Sequence, residues 1–182
     1  MELFSTIVAD PPWRVQNGPQ WGGGHSTPMP YSLMGVDEIA ALNVRHWAAP
    51  DAHLYLWTIN KYVEDAYRVA RAWGFRPSTL LVWAKPVMGC GLGGTFKLST
   101  EFVLFARRGT LKATDWVGQS HFDWPRQRPH SRKPEAFFDM VERVSPGPYL
   151  ELFARRARIG WEYAGNQSLG TVEIDGLDSP GP

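Results

Sequence analysis

The sequence feature that most constrains this chain is an apolar run that ends in an acid, two prolines and a tryptophan. The run from Phe4 to Ala9 contains β-branched residues, which predicts a buried strand. Asp10 precedes a proline and is therefore excluded from the helical region, while Pro11 and Pro12 fix the next two φ angles and remove two backbone donors. A rigid set of oxygen acceptors is thus expected at the carboxyl end of a strand, where open α/β sheets bind ligands.

These acceptors suit the alkylation of an aromatic exocyclic amine, which is a weak nucleophile because its lone pair is delocalised into the ring. If the Asp10 carboxylate and the Pro11 carbonyl each accept one N–H, the nitrogen is drawn towards tetrahedral geometry and can attack a methyl group held in line. Trp13 is then expected to stack on the base, which must first leave any duplex. The same residues could instead form a strand-ending turn with a core tryptophan, and both interpretations stay open at this point.

Six further blocks of sequence follow this motif in order. They are 29–34 (MPYSLM), 54–57 (LYLW), 83–85 (WAK), 131–134 (SRKP), 149–155 (YLELFAR) and 165–167 (GNQ). Together with the motif DPPW at 10–13, they resemble the MT-A70 family of S-adenosylmethionine-dependent adenine N6-methyltransferases. The resemblance extends over residues 3–168.

The resemblance implies a Rossmann-like α/β fold, with a mostly parallel sheet flanked by helices and a permuted motif order in which the catalytic strand comes first. It implies S-adenosylmethionine as the cofactor and methyl transfer to the N6 amine of adenine. DNA is the expected acceptor, because a domain of this size is similar to the small stand-alone bacterial and phage members. The alternatives are the same reaction on RNA and a catalytically inactive nucleic-acid-binding partner subunit.

The resemblance also implies roles for individual residues. Asp10, Pro11, Pro12 and Trp13 would form the catalytic motif, and Tyr31 and Trp13 would line the pocket for the target base. The residues implied at the cofactor are Asp10, Ser131, Lys133, Phe153, Arg155, Asn166 and Gln167. Tyr31 could equally be an ordinary buried tyrosine, and Asn166 and Gln167 could form a turn. Only nine residues precede Asp10, so we expect the cofactor's adenine to be held without the upstream acid that many members use.

Length and composition predict one domain, since 43% of the 182 residues are hydrophobic and 20% charged, and the resemblance implies that residues 1–168 form a methyltransferase domain. Residues 169–182 contain Gly and Pro and the acids Glu173, Asp175 and Asp178, which predicts a flexible acidic tail. The single cysteine, Cys90, excludes an intramolecular disulfide, and the five histidines lack metal-ligand spacing, so no metal is expected. No apolar run is long enough to span a bilayer, and no signal peptide is evident. Cytoplasmic residence is the default expectation.

The net charge is only +1, but residues 86–134 contain eight Lys or Arg against three Asp or Glu. Within this segment the candidate nucleic-acid contacts, interleaved with aromatic residues, are Lys112, Arg126, Arg128 and Arg132. A solvated arginine-rich surface is the alternative. Recognition of the acceptor would come from the loops at 14–30 and 86–132, or from a partner subunit, which includes a second copy of the chain in a homodimer.

Periodicity and turn residues predict the remaining elements. Helices are expected over 36–42, 61–73 and 133–144, and strands over 53–58, 80–83, 101–106, 149–154 and 160–164. Pro50 and Asp51 are expected to break the chain before the second strand. Trp57 and Trp83 are expected in the core or a pocket wall, and Glu101 is expected to make structural hydrogen bonds.

Overall fold

The computed structural model of the chain describes residues 3–14, 33–85, 95–125, 132–155 and 157–165. The strands are β1 (Phe4–Ala9), β2 (Ala48–Thr58), β3 (Arg76–Ala84), β4 (Thr100–Arg108), β5 (His121–Phe122), β6 (Tyr149–Leu152) and β7 (Trp161–Ala164). The helices are α1 (Val36–Ala41), α2 (Val44–Trp47), α3 (Val63–Ala72) and α4 (Glu135–Val144), with a 3-10 turn at Asn60–Tyr62 before α3.

The described strands form one sheet in the order β5-β3-β4-β2-β1-β6-β7. β1 pairs in parallel with β2 on one side and with β6 on the other, and β7 continues the parallel arrangement beyond β6. β4 runs antiparallel to both of its neighbours, β2 and β3. The predicted mostly parallel, Rossmann-like fold is thereby confirmed, and the first strand of the chain lies at the centre of its sheet.

Both faces of the sheet are buried, which explains why the sequences of its central strands are nearly continuous apolar runs. Along β2, Leu54 and Leu56 point into a core that includes residues of α1 and α3. Tyr55 and Trp57 point to the opposite face, which is aromatic-rich and is covered by α4. Because helices cover both faces, the ends of the strands remain accessible. The end of the sheet that contains the carboxyl ends of β1 and β6 is the carboxyl edge, and the opposite end is the amino edge.

The helix predicted over 61–73 forms as the 3-10 turn followed by α3. Its buried face consists of Tyr62, Ala66, Val69, Ala70 and Trp73, which recur at helical spacing. Gly74 follows with a φ of 83°, a left-handed conformation that strains any residue with a Cβ. A glycine therefore ends this helix.

Several predicted strand boundaries are wrong. β2 starts at Ala48 and includes Pro50, where a break was expected. The register between β1 and β2 is irregular here: Phe4 is opposite Ala48, but Thr6 is opposite His53. Pro50 therefore lies in a bulge of β2, where its missing N–H removes no hydrogen bond between the strands. β3 and β4 are longer than predicted, and β6 is shorter because the chain turns sharply at residue 153.

Among the described residues no helix is both long and apolar enough to cross a membrane. Within the same ranges no cluster of three or more His, Cys, Asp or Glu side chains could hold a metal ion. Cys90 and the predicted tail at 169–182 lie outside the described residues. The limits of the single domain and the nature of the tail stay predictions.

Candidate active site

The candidate site begins where β1 ends, at Asp10. The backbone N–H of Asp10 donates to the carbonyl of Leu152 at the end of β6, with an N–O distance of 3.4 Å. The motif therefore lies between the carboxyl ends of two neighbouring parallel strands at the centre of the sheet. The Asp10 side chain is 14% exposed, so its carboxylate is largely shielded from water but still reaches the surface.

The proline carbonyls of the motif already accept hydrogen bonds. The carbonyl of Pro11 accepts from the N–H of Trp13 at 2.8 Å, and that of Pro12 accepts from the N–H of Met34 at 2.9 Å. The N–H of Arg14 donates back to the Met34 carbonyl at 3.2 Å, so the segment 15–32 begins and ends at paired positions. One lone pair of the Pro11 oxygen is therefore occupied and a second one is left, so its predicted role as an acceptor for the amine stays a prediction.

The side chain of Trp13 is part of the hydrophobic core on the α1 and α3 side of the sheet. Its indole N–H donates to the carbonyl of Trp57 at 3.0 Å, and its ring stacks on Tyr62 with a centroid distance of 5.3 Å. Only 5% of the residue is exposed. The predicted base-stacking role needs correction, because one ring face is occupied by Tyr62 and little of the other is accessible; Trp13 instead supports the motif from below.

A chain of alternating charges surrounds the Asp10 carboxylate. The ammonium group of Lys133 lies 3.0 Å from Asp10 and 3.1 Å from Glu101, and the other oxygen of Glu101 lies 2.8 Å from Lys85. Arg155 approaches the second Asp10 oxygen at 3.7 Å. Lys133 also lies 4.8 Å from the centroid of the Trp57 ring. The network holds the carboxylate at the end of β1 in a fixed direction.

The network keeps Glu101 and Lys133 charged. Burial alone would raise the pKa of Glu101, but the charges and hydrogen bonds of Lys133 and Lys85 outweigh it and lower that pKa to about 2. Burial would likewise lower the pKa of Lys133, but Asp10 and Glu101 outweigh it and raise that pKa. A lysine that stays protonated cannot act as a general base at neutral pH. Glu101 makes the structural hydrogen bonds that were predicted for it.

A sharp turn after β6 forms the other side of the site. Phe153 has a φ of 61°, and the N–H of Ala154 donates to the carbonyl of Ala164 at 3.2 Å. A Cβ on Gly165 would lie 2.9 Å from the backbone nitrogen of Ala154, so only glycine fits where β7 ends against this turn. Phe153, Arg155 and Gly165 are thus brought to the same edge as Asp10.

Several predicted site residues lie outside the described residues. They are Tyr31, Arg126, Arg128, Ser131, Asn166 and Gln167. Their predicted roles at the base pocket, the cofactor and the nucleic acid stay predictions.

The two described residues of the predicted nucleic-acid surface, Lys112 and Arg132, are both exposed but lie at opposite edges of the sheet. Arg132 precedes Lys133 and so lies at the carboxyl edge with Asp10. Lys112 follows Leu111, whose carbonyl contacts His53 at the start of the β1–β2 pairing. Because β4 is antiparallel, the chain leaves it at the opposite ends of the strands from Asp10, and Lys112 lies there; its predicted contact with nucleic acid stays a prediction.

Lys85 and Glu151 belong to the charged surroundings of Asp10, although the sequence suggested no role for either. Lys85 reaches Glu101 because β3 and β4 pair with Ala84 opposite Thr100, a register that nothing in the local sequence specifies. Glu151 is an acid within an apolar strand, which is a signal of a special environment. Burial, followed by the charge of Asp10, raises the pKa of Glu151 to about 8, although Arg155, Arg158 and Lys133 act against this rise.

An open, mostly parallel α/β sheet with helices on both faces and a polar cluster at the carboxyl ends of its central strands defines a Rossmann-like protein, the class in which ligands usually bind at these strand ends. The chain belongs to the MT-A70 family, because the family model described as MT-A70 matches residues 4–167.

Curated relatives from plants and animals match nearly the whole chain. An Arabidopsis thaliana protein named N(6)-adenosine-methyltransferase MT-A70-like is 28% identical over 94% of this chain and 25% of its own length. The Homo sapiens N(6)-adenosine-methyltransferase catalytic subunit METTL3 is 25% identical over 94% of this chain and 29% of its own length. The Drosophila melanogaster N(6)-adenosine-methyltransferase MT-A70-like protein is 26% identical over 94% of this chain and 28% of its own length. This chain therefore spans less than a third of the length of these relatives.

Methyltransferases of the MT-A70 family use S-adenosylmethionine as the methyl donor. The residues at the carboxyl edge fit this cofactor, because its ammonium and sulfonium groups need carboxylates and its carboxylate and ribose hydroxyls need donors. Asp10 would hold the cationic end, while Arg155 and the backbone of the Phe153 turn would hold the ribose side. When bound, the cofactor supplies an activated methyl group.

Proposed function

We propose that this protein transfers a methyl group from S-adenosylmethionine to the exocyclic N6 amine of adenine in a polynucleotide. The observation that supports this proposal most strongly is the Asp10 carboxylate, fixed at the end of the central strand by Lys133 at 3.0 Å and by Arg155 at 3.7 Å. A carboxylate in that position can accept an amine N–H, and it lies beside the turn that fits the cofactor.

The chain's own residues would act by positioning and by electrostatics. Asp10 accepts one N–H of the adenine amine, and the remaining lone pair of the Pro11 carbonyl accepts the other. The nitrogen lone pair then forms the new N–C bond as the C–S bond breaks, and the amine loses one proton to water. Lys133 holds Asp10 in place and stays charged throughout, since its pKa is raised.

The acceptor is proposed to be RNA, with DNA as the second candidate. The names of the matched relatives speak of adenosine, the ribonucleoside, which favours RNA. The expectation of DNA rested on similarity to small bacterial and phage members, whereas the curated relatives reported above come from plants and animals. The bacterial or phage type, cytoplasmic residence and a partner subunit remain proposals; the human relative's name, catalytic subunit, favours an assembly.

Transfer of tritium from labelled S-adenosylmethionine to matched RNA and DNA oligonucleotides tests this function. Labelled RNA is expected, with N6-methyladenosine recovered after nuclease digestion. Asp10→Asn is expected to reduce transfer by about 100-fold to 1,000-fold, because it removes a preorganised acceptor. The matched control is Asp115→Asn, which breaks an exposed ion pair with Arg143 away from the site.

Each outcome points to a different function. Labelling of DNA alone would restore the expectation from sequence. Tight polynucleotide binding without transfer would favour a catalytically inactive partner subunit. Wild-type transfer by Asp10→Asn would contradict the proposed role of the motif.

A further inference from the structure

A buried carboxyl group that was not among the predicted site residues lies next to Asp10. Glu151 is on β6, where its register partners are Val8 on β1 and Tyr163 on β7. Asp10 is two residues beyond Val8, and side chains alternate along a strand, so Asp10 and Glu151 extend from the same face of the sheet. Glu151 is 8% exposed, so its carboxyl has little contact with water.

The cations around Glu151 are also close to other acids. Arg155, the cation with the largest effect on Glu151, lies 3.7 Å from Asp10. Lys133 pairs with Asp10 and Glu101. Arg158 pairs with three acids of α4, at 2.7 to 2.9 Å. Glu151 is therefore a second carboxyl beside Asp10 whose nearby cations are already engaged, and ionising it would place two negative charges together in a shielded site.

The charge of this carboxyl is consequently open to change by a ligand. With a pKa of about 8, caused by burial and by Asp10, Glu151 is largely protonated and neutral at pH 7 in the free protein. A cation placed against Asp10 and Glu151 would favour the ionised form and lower that pKa.

The cofactor and the product of methyl transfer differ in the charge that Glu151 would meet. S-adenosylmethionine has a sulfonium, an ammonium and a carboxylate, and so one net positive charge. S-adenosylhomocysteine has lost the sulfonium charge together with the methyl group, and is neutral overall. The two ligands are otherwise nearly identical in shape, so contacts alone distinguish them poorly.

We propose that Glu151 is a charge-sensing residue of the cofactor site, which releases its proton when the sulfonium cofactor binds and regains one when the neutral thioether product takes its place. The neutral carboxyl and the cationic cofactor become a carboxylate, a bound cofactor and one proton in solvent. In the product complex the carboxyl keeps its proton. The inference depends on the family's cofactor and is independent of whether RNA or DNA is methylated.

The charged and titratable groups that face Glu151 come from every neighbouring element. They are Asp10 after β1, Lys133 before α4, Arg155 and Arg158 after β6, and Tyr163 on β7. The pKa of Lys133 and that of Arg158 are both raised by their acidic partners, so these cations stay charged near neutral pH. The cofactor's own amino group also titrates and has to be separated from Glu151 by experiment.

Proton linkage gives this proposal a specific signature. The affinity for S-adenosylmethionine is expected to rise up to about tenfold per pH unit between about pH 6 and pH 8, because one proton leaves on binding. The affinity for S-adenosylhomocysteine is expected to stay nearly constant over the same range. Competition by the product should therefore weaken as the pH rises.

Isothermal titration calorimetry of the whole chain at pH 7, in buffers of different ionisation enthalpy, measures this proton release directly. Wild-type protein is expected to release most of one proton with S-adenosylmethionine and much less with S-adenosylhomocysteine. Glu151→Gln should bind both ligands with no proton release from the protein and a flat pH profile. Glu162→Gln on the adjacent strand β7 is the matched control and should behave as wild type.

Difference infrared spectra measure the protonation of the carboxyl group, which changes in packing alone would not alter. The C=O band of a protonated carboxylic acid should be present in the free protein, disappear on adding S-adenosylmethionine, persist with S-adenosylhomocysteine, and be missing in Glu151→Gln. Equal proton release by wild type and Glu151→Gln would assign it to the cofactor's amino group and overturn the proposal. Binding without proton release would also overturn it, and absence of binding would instead contradict the cofactor assignment itself.

Discussion

Two buried polar networks lie at opposite edges of the sheet and differ in charge. At the carboxyl edge, Asp10, Lys133, Glu101 and Lys85 form a chain of alternating charges. At the amino edge, the groups are formally neutral: Tyr55, Ser145 and His53 are joined by hydrogen bonds of 2.7 and 2.8 Å. Both networks lie on the α4 side of the sheet, so the difference does not come from the core around them.

The neutral network has a single consistent set of donors and acceptors. His53 Nε2 lies 3.2 Å from the carbonyl of Leu111, which can only accept, so this nitrogen carries the proton and Nδ1 accepts from the Ser145 hydroxyl. Ser145 in turn accepts from the Tyr55 hydroxyl. The side-chain donors of these three residues are all used within the network, which attaches the segment after β4 and the end of α4 to the central strands.

The charged network, by contrast, retains capacity for a ligand. The carboxylate of Asp10 has further lone pairs, Glu151 beside it can change its charge, and Arg155 is directed to the same edge. The comparison teaches that burial of polar groups in this fold has two uses: complete mutual satisfaction stabilises the amino edge, and incomplete satisfaction prepares the carboxyl edge for cofactor and base.

Removing the central cation should produce the largest effect. Lys133→Met removes the cation that Asp10 and Glu101 share, which leaves Asp10 with only Arg155 at 3.7 Å and Glu101 with only Lys85 at 2.8 Å. The free energy of unfolding is expected to fall by about 3 kcal/mol, because two shielded acids lose their common partner. Methyl transfer should fall by at least about 100-fold, because Asp10 loses the donor that orients it. Urea denaturation and a transfer assay measure the two effects.

Lys112→Met is the matched control for Lys133→Met, since it makes the same change at the exposed far edge and should alter stability by less than about 0.5 kcal/mol. The double variant Lys133→Met with Glu101→Gln should regain part of the lost stability, because it removes the charge of one of the two acids that had shared this cation. A Lys133→Met protein as stable as the wild type would contradict the view that the charged network depends on this lysine.

The two edges also differ in how far the sequence predicted them. The motif at 10–13, the buried face of α3 and the cap at Gly74 follow from local patterns, because each is set by residues close together in the chain. The neutral network combines positions 53 and 145, whose pairing depends on the strand order and on where α4 ends. The position of Lys112 at the amino ends of the strands could not be predicted for a related reason, since the antiparallel direction of β4 is not visible in local periodicity.

Breaking the neutral network should affect stability but not chemistry. His53→Leu leaves Ser145 and the Leu111 carbonyl without their partner, so the free energy of unfolding at pH 7 is expected to fall by about 1–3 kcal/mol. Transfer per folded molecule should be unchanged. The exposed His121, changed to Leu, is the control.

The pH dependence of stability distinguishes this histidine from a merely packed side chain. Burial lowers the pKa of His53, with Arg107 acting in the same direction and the Leu111 hydrogen bond against it. The unfolded chain therefore binds a proton more readily than the folded one, and stability should decrease as the pH falls below about 6.5. His53→Leu should lose this acid-side slope; a slope that persists would mean that another group causes it.

The smallest expected effect is on the salt dependence of nucleic-acid binding, when a single exposed cation is removed at one edge or at the other. If the polynucleotide approaches the carboxyl edge, Arg132→Ala should reduce the magnitude of the slope of log affinity against log salt by about one, because one phosphate contact is lost. Lys112→Ala should leave the slope unchanged, since this residue lies beyond the opposite ends of the strands. Fluorescence anisotropy of a labelled oligonucleotide at several salt concentrations measures both. Equal changes of the salt slope in the two variants would mean that the nucleic acid contacts both ends of the strands. The amino ends would then take part in binding the acceptor and could not be called purely structural.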